Sequence, residues 1–272
     1  MRKLGRFVLF FVLVGLGILI VGVFAKKPSH ERDWKVEYAV LPQALLQGEK
    51  LTIRDLRNFT YKPDGSVREA RYEDRTYDLS KLEGLWYGIS HFYDYGLAHT
   101  FVSFGFQDGQ YLTISVEARQ AEGQSYHPLR GILREYELIY LATDERDVIG
   151  VRTHVRSERV YLYEVMVETE KMRRLLLAML KTMNEIYETP AFYDTLADNC
   201  TTNILQHVER LTFWDIFLDY RALLPGYSDA LAYELGLLDT SVPLEALRRK
   251  SRIDPAVTAI EDPQFSRKIR GL

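Results

Sequence analysis

Residues 99–117 read HTFVSFGFQDGQYLTISVE, and this stretch predicts a β-hairpin whose register follows from its side chains. Alternating apolar residues give each arm one apolar face, formed by Val102, Phe104 and Phe106 in the first arm and by Leu112, Ile114 and Val116 in the second. The two faces coincide only if even-numbered residues oppose even-numbered residues, which requires a loop of odd length. A loop at residues 107–109 satisfies this, with Gly109 in a left-handed conformation. The same register places His99 opposite Glu117 on one face.

Short segments of alternating pattern continue on both sides of the hairpin, and helical spacing follows them. The other predicted strands are Leu51–Ile53, Asn58–Tyr61, Gly84–His91, Tyr136–Ala142, Val148–His154 and Val160–Val165. The predicted helices are Glu168–Glu188, Asn199–Leu211 and Tyr227–Leu238. Roughly the last thirty residues are charged and interrupted by proline, which predicts a peripheral position. Strands followed by helices indicate an α+β fold with an antiparallel sheet.

An uncharged apolar run occupies residues 7–25 at the N-terminus. A bilayer core is spanned by about 20 apolar residues, whereas the apolar part of a signal peptide has about 7–15. The run therefore predicts one retained transmembrane helix, with the rest of the chain outside the cytoplasm. Cleavage after Val23-Phe24-Ala25 is the alternative. The predicted division is a membrane anchor at 1–27, a catalytic domain at 28–212 and an unassigned helical extension at 213–272.

The composition argues against several classes of function. The formal net charge is −3, so no nucleic-acid partner is expected. The sequence contains neither a metal-ligand spacing such as HExxH nor a glycine-rich phosphate loop, so we expect no metal and no cofactor. Nothing in the sequence indicates an oligomeric state. Cys200 is the one cysteine, which excludes an intramolecular disulfide and makes its thiol a candidate for chemistry.

Cys200 has the sequence context of a nucleophile. It stands at the predicted start of a helix, where Asn199 or Asp198 is a suitable N-cap. Because N–H groups at a helix start favour negative charge, we expect the thiol to ionise readily. Asn199 and Thr201 are expected to support an oxyanion there. The alternative is a buried cysteine that serves as a small core residue.

A nucleophilic cysteine requires a base, and His99 is the best candidate among the six histidines. The hairpin register brings Glu117 to its side, so Glu117 is predicted to orient the imidazole. The alternative is a histidine at a strand end that bonds only to the backbone. The segment Asp144–Asp147 predicts a turn with local ion pairs. Within it Arg146, and elsewhere Arg119, are weaker candidates for contact with an anionic head group.

Four blocks of the chain resemble the Lnb-type domain of the lipoprotein intramolecular N-acyltransferase family, namely Ala98–Phe106, Ile114–Arg119, Asp144–Asp147 and Asn199–Thr202. The resemblance extends over residues 33–212. It implies a permuted papain-like domain of the NlpC type, in which the histidine strand precedes the cysteine helix. By motif, the family's catalytic cysteine and histidine correspond to Cys200 and His99, with Glu117 as the third member.

The resemblance implies a thiol-dependent acyltransferase at the bacterial inner membrane, with its domain in the periplasm. Such an enzyme moves an acyl chain from a lipoprotein diacylglyceryl group, or another lipid ester, to an amine through a cysteine thioester. Its partners would be the membrane and a lipid or lipoprotein substrate. Two alternatives remain open: a cysteine peptidase or amidase acting on cell-wall peptides, and a non-catalytic envelope module. A hydrophobic groove beside Cys200 favours the acyltransferase, and a polar cleft favours the peptidase.

Overall fold

A computed structural model describes residues 2–93, 96–206 and 213–272 of the chain. Its strands are β1 (Gln43–Gln47), β2 (Lys50–Arg57), β3 (Thr60–Tyr61), β4 (Val67–Glu69), β5 (Tyr72–Asp78), β6 (Leu82–His91), β7 (Ala98–Phe106), β8 (Tyr111–Arg119), β9 (Glu137–Thr143) and β10 (Arg159–Glu164). The main sheet has the order β1-β2-β9-β8-β7-β6-β10, with β5 also paired to β2, while β3 pairs with β4. Its pairings are antiparallel except where Arg57 of β2 meets Thr143 of β9.

The helices follow mainly in the second half of the chain. They are α1 (Arg2–Phe24), α2 (Pro128–Ile132), α3 (Thr169–Glu188), α4 (Cys200–Leu205), α5 (Phe213–Leu218), α6 (Tyr220–Leu223), α7 (Ser228–Glu234), α8 (Leu244–Ser251) and α9 (Phe265–Lys268). A π-helix covers Arg146–Val155, and short 3₁₀ turns cover Val36–Tyr38, Leu79–Lys81, Pro225–Tyr227 and Pro255–Val257. The predicted mixed α+β class is therefore confirmed.

The hairpin β7–β8 has the predicted register. Val102 pairs with Ile114, and Phe101 pairs with Ser115. Gly109 has a φ of +79° and donates its N–H to the Phe106 carbonyl at 2.8 Å. This prediction is confirmed because every requirement behind it is local to the hairpin.

The other sequence patterns agree with the structure to different degrees. The predictions at 51–53, 58–61, 84–91, 136–142 and 160–165 overlap β2, β3, β6, β9 and β10. Helix α3 begins one residue after the predicted start, and its buried side chains recur at helical spacing: Met172, Leu176, Met179, Leu180, Met183 and Ile186. The third predicted helix corresponds to α7. Helix α4 is described only as far as Leu205, and Val208 and Leu211 of the predicted helix lie outside the described residues.

The predicted strand at Val148–His154 is wrong, since these residues lie in the π-helix. Side chains inside the segment bond to carbonyls about one turn earlier. Arg152 donates to the Val148 carbonyl at 2.8 Å, and Thr153 donates to the Ile149 carbonyl at 2.9 Å. A seven-residue pattern of mixed apolar and polar residues does not distinguish this geometry from a strand.

The main sheet has two covered faces of different chemistry. The apolar face lies under α3, α4 and α7, and its core includes Val102, Phe104, Leu112, Ile114 and Cys200. The charged face lies under the π-helix and the C-terminal segment. It contains an apolar cluster around Phe101, Ile149 and Phe265, together with buried ion pairs.

The C-terminal residues are not peripheral, which corrects the prediction. Phe265 is fully buried, and Arg270 forms an ion pair with the buried Glu145 at 2.5 Å. The Ile253 N–H donates to the Val160 carbonyl at 2.9 Å. The region after residue 212 also contributes to the apolar face, where Ala232, Leu238 and Leu247 join the main core.

The apolar N-terminal run forms helix α1. Among the residues that the structure describes, no helix has the combination of length and apolarity needed to span a bilayer.

Candidate active site

The hairpin β7–β8 opens at the end that carries the predicted site residues. Pairing between the two strands ends at Phe101 and Ser115, although β7 extends back to Ala98 and β8 continues to Arg119. Beyond the last pair, each strand remains joined only to its outer neighbour, β7 to β6 and β8 to β9. Helix α4 packs against both strands and begins with Cys200. The opening therefore holds the chemistry-bearing side chains of both strands and of α4.

The Cys200 thiol lies against β7 at Thr100. Cys200 is 5% exposed. Burial raises the pKa of the thiol, while hydrogen bonds with the Thr100 hydroxyl and backbone and with the Thr201 hydroxyl act in the opposite direction. The expectation of a readily ionised thiol is therefore wrong, because desolvation outweighs the helix start. At neutral pH the group is a thiol and needs a base.

Asn199 caps the helix that begins with Cys200. Its side-chain oxygen accepts the N–H groups of Thr201 at 2.8 Å and Thr202 at 2.9 Å, and its own N–H donates to the Thr202 hydroxyl at 2.9 Å. These two helix N–H groups are thus already bonded, which corrects the expectation that Asn199 and Thr201 serve an oxyanion. The Cys200 N–H is not one of the groups that Asn199 caps. The Thr201 hydroxyl lies 3.2 Å from that of Thr100.

His99 and Glu117 are brought together as the register predicted, with Nε2 3.5 Å from the carboxylate Oε1. Ser115 lies between them: its Oγ is 2.6 Å from His99 Nε2 and donates to Glu117 Oε1 at 2.8 Å. Because the hydroxyl proton goes to the carboxylate, the hydroxyl oxygen accepts from Nε2–H. In a neutral ring this leaves Nδ1 as the unprotonated nitrogen. Our sequence reasoning missed Ser115, although alternation places it on the same face as Glu117.

Burial and neighbouring charges determine the protonation of this pair. Burial lowers the pKa of His99 to about 3, assisted by Arg152 and opposed by Glu117, so the imidazole is neutral at pH 7. Burial would raise the pKa of Glu117, but its pairing with His99 and the guanidinium of Arg152 hold that pKa well below its usual range. Arg152 lies 3.3 Å from Oε1, and the Tyr38 hydroxyl donates to Oε2 at 3.0 Å. In the described ranges, no group of three or more acidic, histidine or cysteine side chains is arranged to hold a metal ion.

The thiol and the imidazole approach the opening from opposite faces of the sheet. Successive residues of a strand point to opposite faces, so Thr100 points to the apolar face and His99 to the charged face. His99 stacks with Phe101 of the charged-face cluster, with ring centroids 6.4 Å apart. Among the described hydrogen bonds, none joins the imidazole to the Cys200 thiol. The structure therefore pairs His99 with Glu117 and places Cys200 against the residue that follows His99.

Three tyrosines surround the thiol, and none of them was singled out in the sequence. Burial raises the pKa of Tyr87, Tyr126 and Tyr193, and the Cys200 thiol contributes to each increase. The pKa of Tyr193 also responds to Glu117, so this ring lies within electrostatic range of both the thiol and the carboxylate. The Tyr87 hydroxyl forms a 2.7 Å hydrogen bond with Ser228 of α7.

A cavity of about 490 Å³ lies on the apolar face beside α4. Its lining is mostly apolar and includes Leu85, Tyr87, Val102, Leu175, Ile204 and Leu237. Ile204 is four residues after Cys200, so the two lie on one side of α4. Lys171 and Arg174 of α3 are at the solvent side of the cavity. Cys200 does not line this cavity, but Tyr87, whose pKa the thiol influences, does.

The two arginines considered for head-group contact have structural partners. Arg119 is 2% exposed, donates to the Tyr38 carbonyl at 2.9 Å, and lies over the Trp34 ring at 4.1 Å. Burial lowers its pKa to about 10. It is not available to a lipid surface, which corrects that expectation. Arg146 forms the predicted local ion pair with Asp144 at 3.3 Å, but the predicted turn is wrong, since Arg146 and Asp147 begin the π-helix. The two carboxylates that flank Arg146 are instead buried in ion pairs with distant arginines.

Comparison with known proteins identifies the family of this domain. No curated protein and no solved structure is similar enough to count as a match. The family model of the Lnb N-terminal periplasmic domain matches residues 68–226, which is more than half of the 272-residue chain. The matched segment begins in β4, ends just before α7, and contains His99, Glu117 and Cys200. The chain therefore belongs to the Lnb N-terminal periplasmic domain family.

Proposed function

We propose that this extracytoplasmic domain is a cysteine-dependent acyltransferase of the cell envelope, with a permuted papain-like arrangement of its site. Cys200 is the nucleophile, His99 is the base, and Glu117 orients the imidazole through Ser115. The observation that carries the proposal is the hydrogen-bonded chain from His99 through Ser115 to Glu117, located at the hairpin opening where Cys200 lies.

The protonation states define the first half of the reaction. The neutral His99 removes the thiol proton, and the Glu117 carboxylate stabilises the imidazolium that forms. The thiolate attacks the carbonyl carbon of a lipid ester, a carbon–sulfur bond forms, and the carbon–oxygen bond to the glyceryl group breaks. The imidazolium returns the proton to the departing alkoxide. This step requires His99 and Cys200, which approach the hairpin opening from opposite faces of the sheet, to come into contact in the substrate complex.

The second half transfers the acyl group to an amine. The amine attacks the thioester, a carbon–nitrogen bond forms, and the carbon–sulfur bond breaks. His99 accepts the proton that the amine loses and delivers it to the leaving thiolate of Cys200. The products are an amide and the free thiol, so the site returns to its starting state.

The surroundings of Cys200 support an acyl substrate over a peptide. The cavity of about 490 Å³ lined by Tyr87 and by Ile204 of α4 has a mostly apolar lining, and small-molecule sites typically enclose about 300–1,000 Å³. A cell-wall peptide would instead require a polar cleft. The burial of the thiol favours one other candidate, a non-catalytic envelope module in which Cys200 is only a core residue.

Membrane attachment through the apolar residues 7–25 belongs to the same proposal, because a lipid ester is found at the head-group level of a bilayer. A reporter that becomes active only after export, fused behind Leu272, is expected to be active. Reporter activity confined to the cytoplasm would contradict this location.

The decisive assay uses the full chain in detergent micelles with a diacylated lipopeptide that has a free N-terminal amine. Mass spectrometry should detect an acyl adduct on Cys200 and transfer of the acyl chain to the amine. Cys200→Ser and His99→Ala should abolish transfer by at least about 10³-fold. The matched control is His91→Ala, at the end of the adjacent strand β6, which should retain transfer.

Two results would contradict the proposal. Wild-type transfer by Cys200→Ser would exclude the thiol as nucleophile. A folded wild-type chain that forms no adduct and transfers no acyl chain would favour the non-catalytic module, whereas cleavage of cell-wall peptides by the same sample would favour the amidase.

A further inference from the structure

We infer that the surface around α2 rests on a bilayer that contains anionic phospholipid. This membrane-contact surface consists of the end of α1 at Phe24, the basic residues that follow it, helix α2 and the loop at residues 193–196. The contact with the bilayer is independent of the proposed function. The further claim that this contact brings Cys200 to the head-group level rests on the proposed function.

The C-terminal end of α1 is attached to the turn that follows α2. The guanidinium of Arg134 lies over the Phe24 ring, 4.5 Å from its centroid, and Lys26 donates its ammonium to the Leu133 carbonyl at 2.8 Å. Arg134 adopts a φ of +53°, a left-handed conformation that is uncommon for a residue with a side chain. The turn thus directs a basic side chain between Phe24 and the domain. An apolar helix and a domain surface are held next to each other.

Large apolar side chains are exposed on this same surface. Leu129 and Ile132 of α2 are 61% and 38% exposed, and Tyr126 and Leu196 beside them are exposed to a similar degree as Ile132. Thr195 donates to the Pro128 carbonyl at 2.8 Å, which joins the loop of Leu196 to α2. Phe24 and several described side chains of α1 are also more than half exposed. Contiguous exposed apolar groups mark a contact surface, and one bilayer would cover both α1 and α2.

The charge of the surface favours a lipid partner with anionic head groups. Segments 24–27, 126–135 and 193–196 together contain four basic residues and two acidic residues, Glu135 and Asp194. Glu135 pairs with Arg130 at 3.7 Å. Lys26 and Lys27 are exposed at the end of α1. Basic side chains beside exposed apolar groups are typical of proteins that bind the surface of anionic membranes.

The surface leads directly to the candidate active site. Tyr126 meets the ring of Tyr193 edge-on, with centroids 6.4 Å apart. Tyr193 and Thr195 both pack against Gly131 of α2, so the loop before α4 lies on this helix. The Cys200 thiol influences the pKa of both tyrosines. The loop that packs on α2 therefore continues within a few residues into the start of α4, where Cys200 lies.

The test uses the full chain with Cys200→Ser, so that a single new cysteine can be labelled and no catalysis takes place. Leu129→Cys carries an environment-sensitive fluorophore on the proposed surface. Gln107→Cys carries it in the exposed turn at the far end of the hairpin, as the matched control. Both proteins are reconstituted into vesicles of equal parts phosphatidylcholine and phosphatidylglycerol, with a nitroxide placed at the head group of a small lipid fraction.

We expect the label at position 129 to shift its emission to the blue and to be quenched by the nitroxide, while the label at 107 shows neither effect. Adding Lys27→Glu and Arg130→Glu should reduce the quenching at 129 by more than half. So should vesicles of phosphatidylcholine alone. Equal emission and quenching at 129 and 107 would overturn the inference. If neither the two charge substitutions nor the phosphatidylcholine vesicles reduced the quenching at 129, the surface would bind membranes without requiring anionic lipid. Because the chain in this test lacks its thiol, contact without acyl transfer in the earlier assay would disprove only the proposed function.

Discussion

The two faces of the main sheet bury different kinds of side chain, apolar on one face and charged on the other. The apolar face buries the methionines and leucines of α3 against Val102 and Ile114, and it holds the thiol and the cavity. The charged face buries Asp147, Glu145 and Glu117, each paired with an arginine. An acyl chain requires the first environment and proton transfer requires the second. The hairpin opening is where a side chain from each face, Cys200 and His99, can meet.

The strongest test of this contrast removes a charge from the charged face. Asp147 is fully buried and accepts hydrogen bonds from Arg57 at 2.8 and 2.9 Å, from the Tyr61 hydroxyl at 2.8 Å and from the Phe59 N–H at 3.0 Å. Asp147→Ala leaves a buried guanidinium without its partner, which should lower the free energy of unfolding by about 3–5 kcal/mol. Urea denaturation monitored by tryptophan fluorescence measures this loss.

The control replaces both partners. The pair Arg57→Met with Asp147→Leu should recover part of the stability, because no buried charge remains although the Tyr61 hydroxyl and the Phe59 N–H lose their acceptor. A loss of less than about 1 kcal/mol in Asp147→Ala would mean that water reaches the charged face, and the contrast between the faces would fail.

The pH dependence of stability sharpens the same contrast. The folded protein lowers the pKa of His99 to about 3, so between the unfolded value near 6.5 and pH 3 the unfolded chain binds a proton that the folded chain does not. The contribution of His99 to the free energy of unfolding is therefore complete above about pH 6.5. It decreases as the pH falls, by about 2 kcal/mol between pH 7 and pH 5. Glu117, whose pKa is also lowered, adds a further loss below about pH 4.5.

His99→Gln removes the titrating group and approximates its size and hydrogen bonding. Its urea midpoint should change clearly less between pH 7 and pH 5 than that of the wild type. An equally steep dependence in both proteins would show that His99 is not buried as a neutral ring.

The smallest expected effect concerns the start of α4 on the apolar face. Asn199→Ala removes the acceptor for two helix N–H groups and should cost about 1 kcal/mol. Asn199→Asp keeps this acceptor but loses the amide donor to the Thr195 carbonyl at 2.9 Å, so it should cost less than alanine without matching the wild type. Thermal unfolding measures both variants. If alanine were tolerated as well as aspartate, the hydrogen bonds of Asn199 with Thr201 and Thr202 would not be what positions Cys200.

The sequence predicted those features that depend only on residues close to one another in the chain. The β7–β8 register and the buried stripe of α3 follow from the spacing of apolar residues within one element. The charged face could not be predicted in this way. Arg57 and Asp147 are 90 residues apart, and Arg270 and Glu145 are 125 residues apart, so no short pattern connects them.

The candidate site shows the same division. The proximity of His99 and Glu117 came from the strand register, and the cap by Asn199 came from the residue type. The ionisation of Cys200 was predicted in the wrong direction, because helix starts act locally whereas desolvation depends on the whole fold. The strands β1, β4 and β5 were not predicted, since β4 and β5 are largely polar and the apolar residues of β1 are consecutive and do not alternate.

The raised pKa of the Cys200 thiol also has a consequence for oxidation. The periplasm is an oxidising compartment, and oxidants attack the thiolate far faster than the thiol. Cys200 is the one cysteine of the chain, so a sulfenic acid formed there has no second thiol in the molecule to convert it into a disulfide. A buried, protonated sulfur reacts slowly with small oxidants and stays in the reduced state. In the proposed mechanism the thiol ionises only when His99 removes its proton, so the free protein presents oxidants with the slower-reacting thiol.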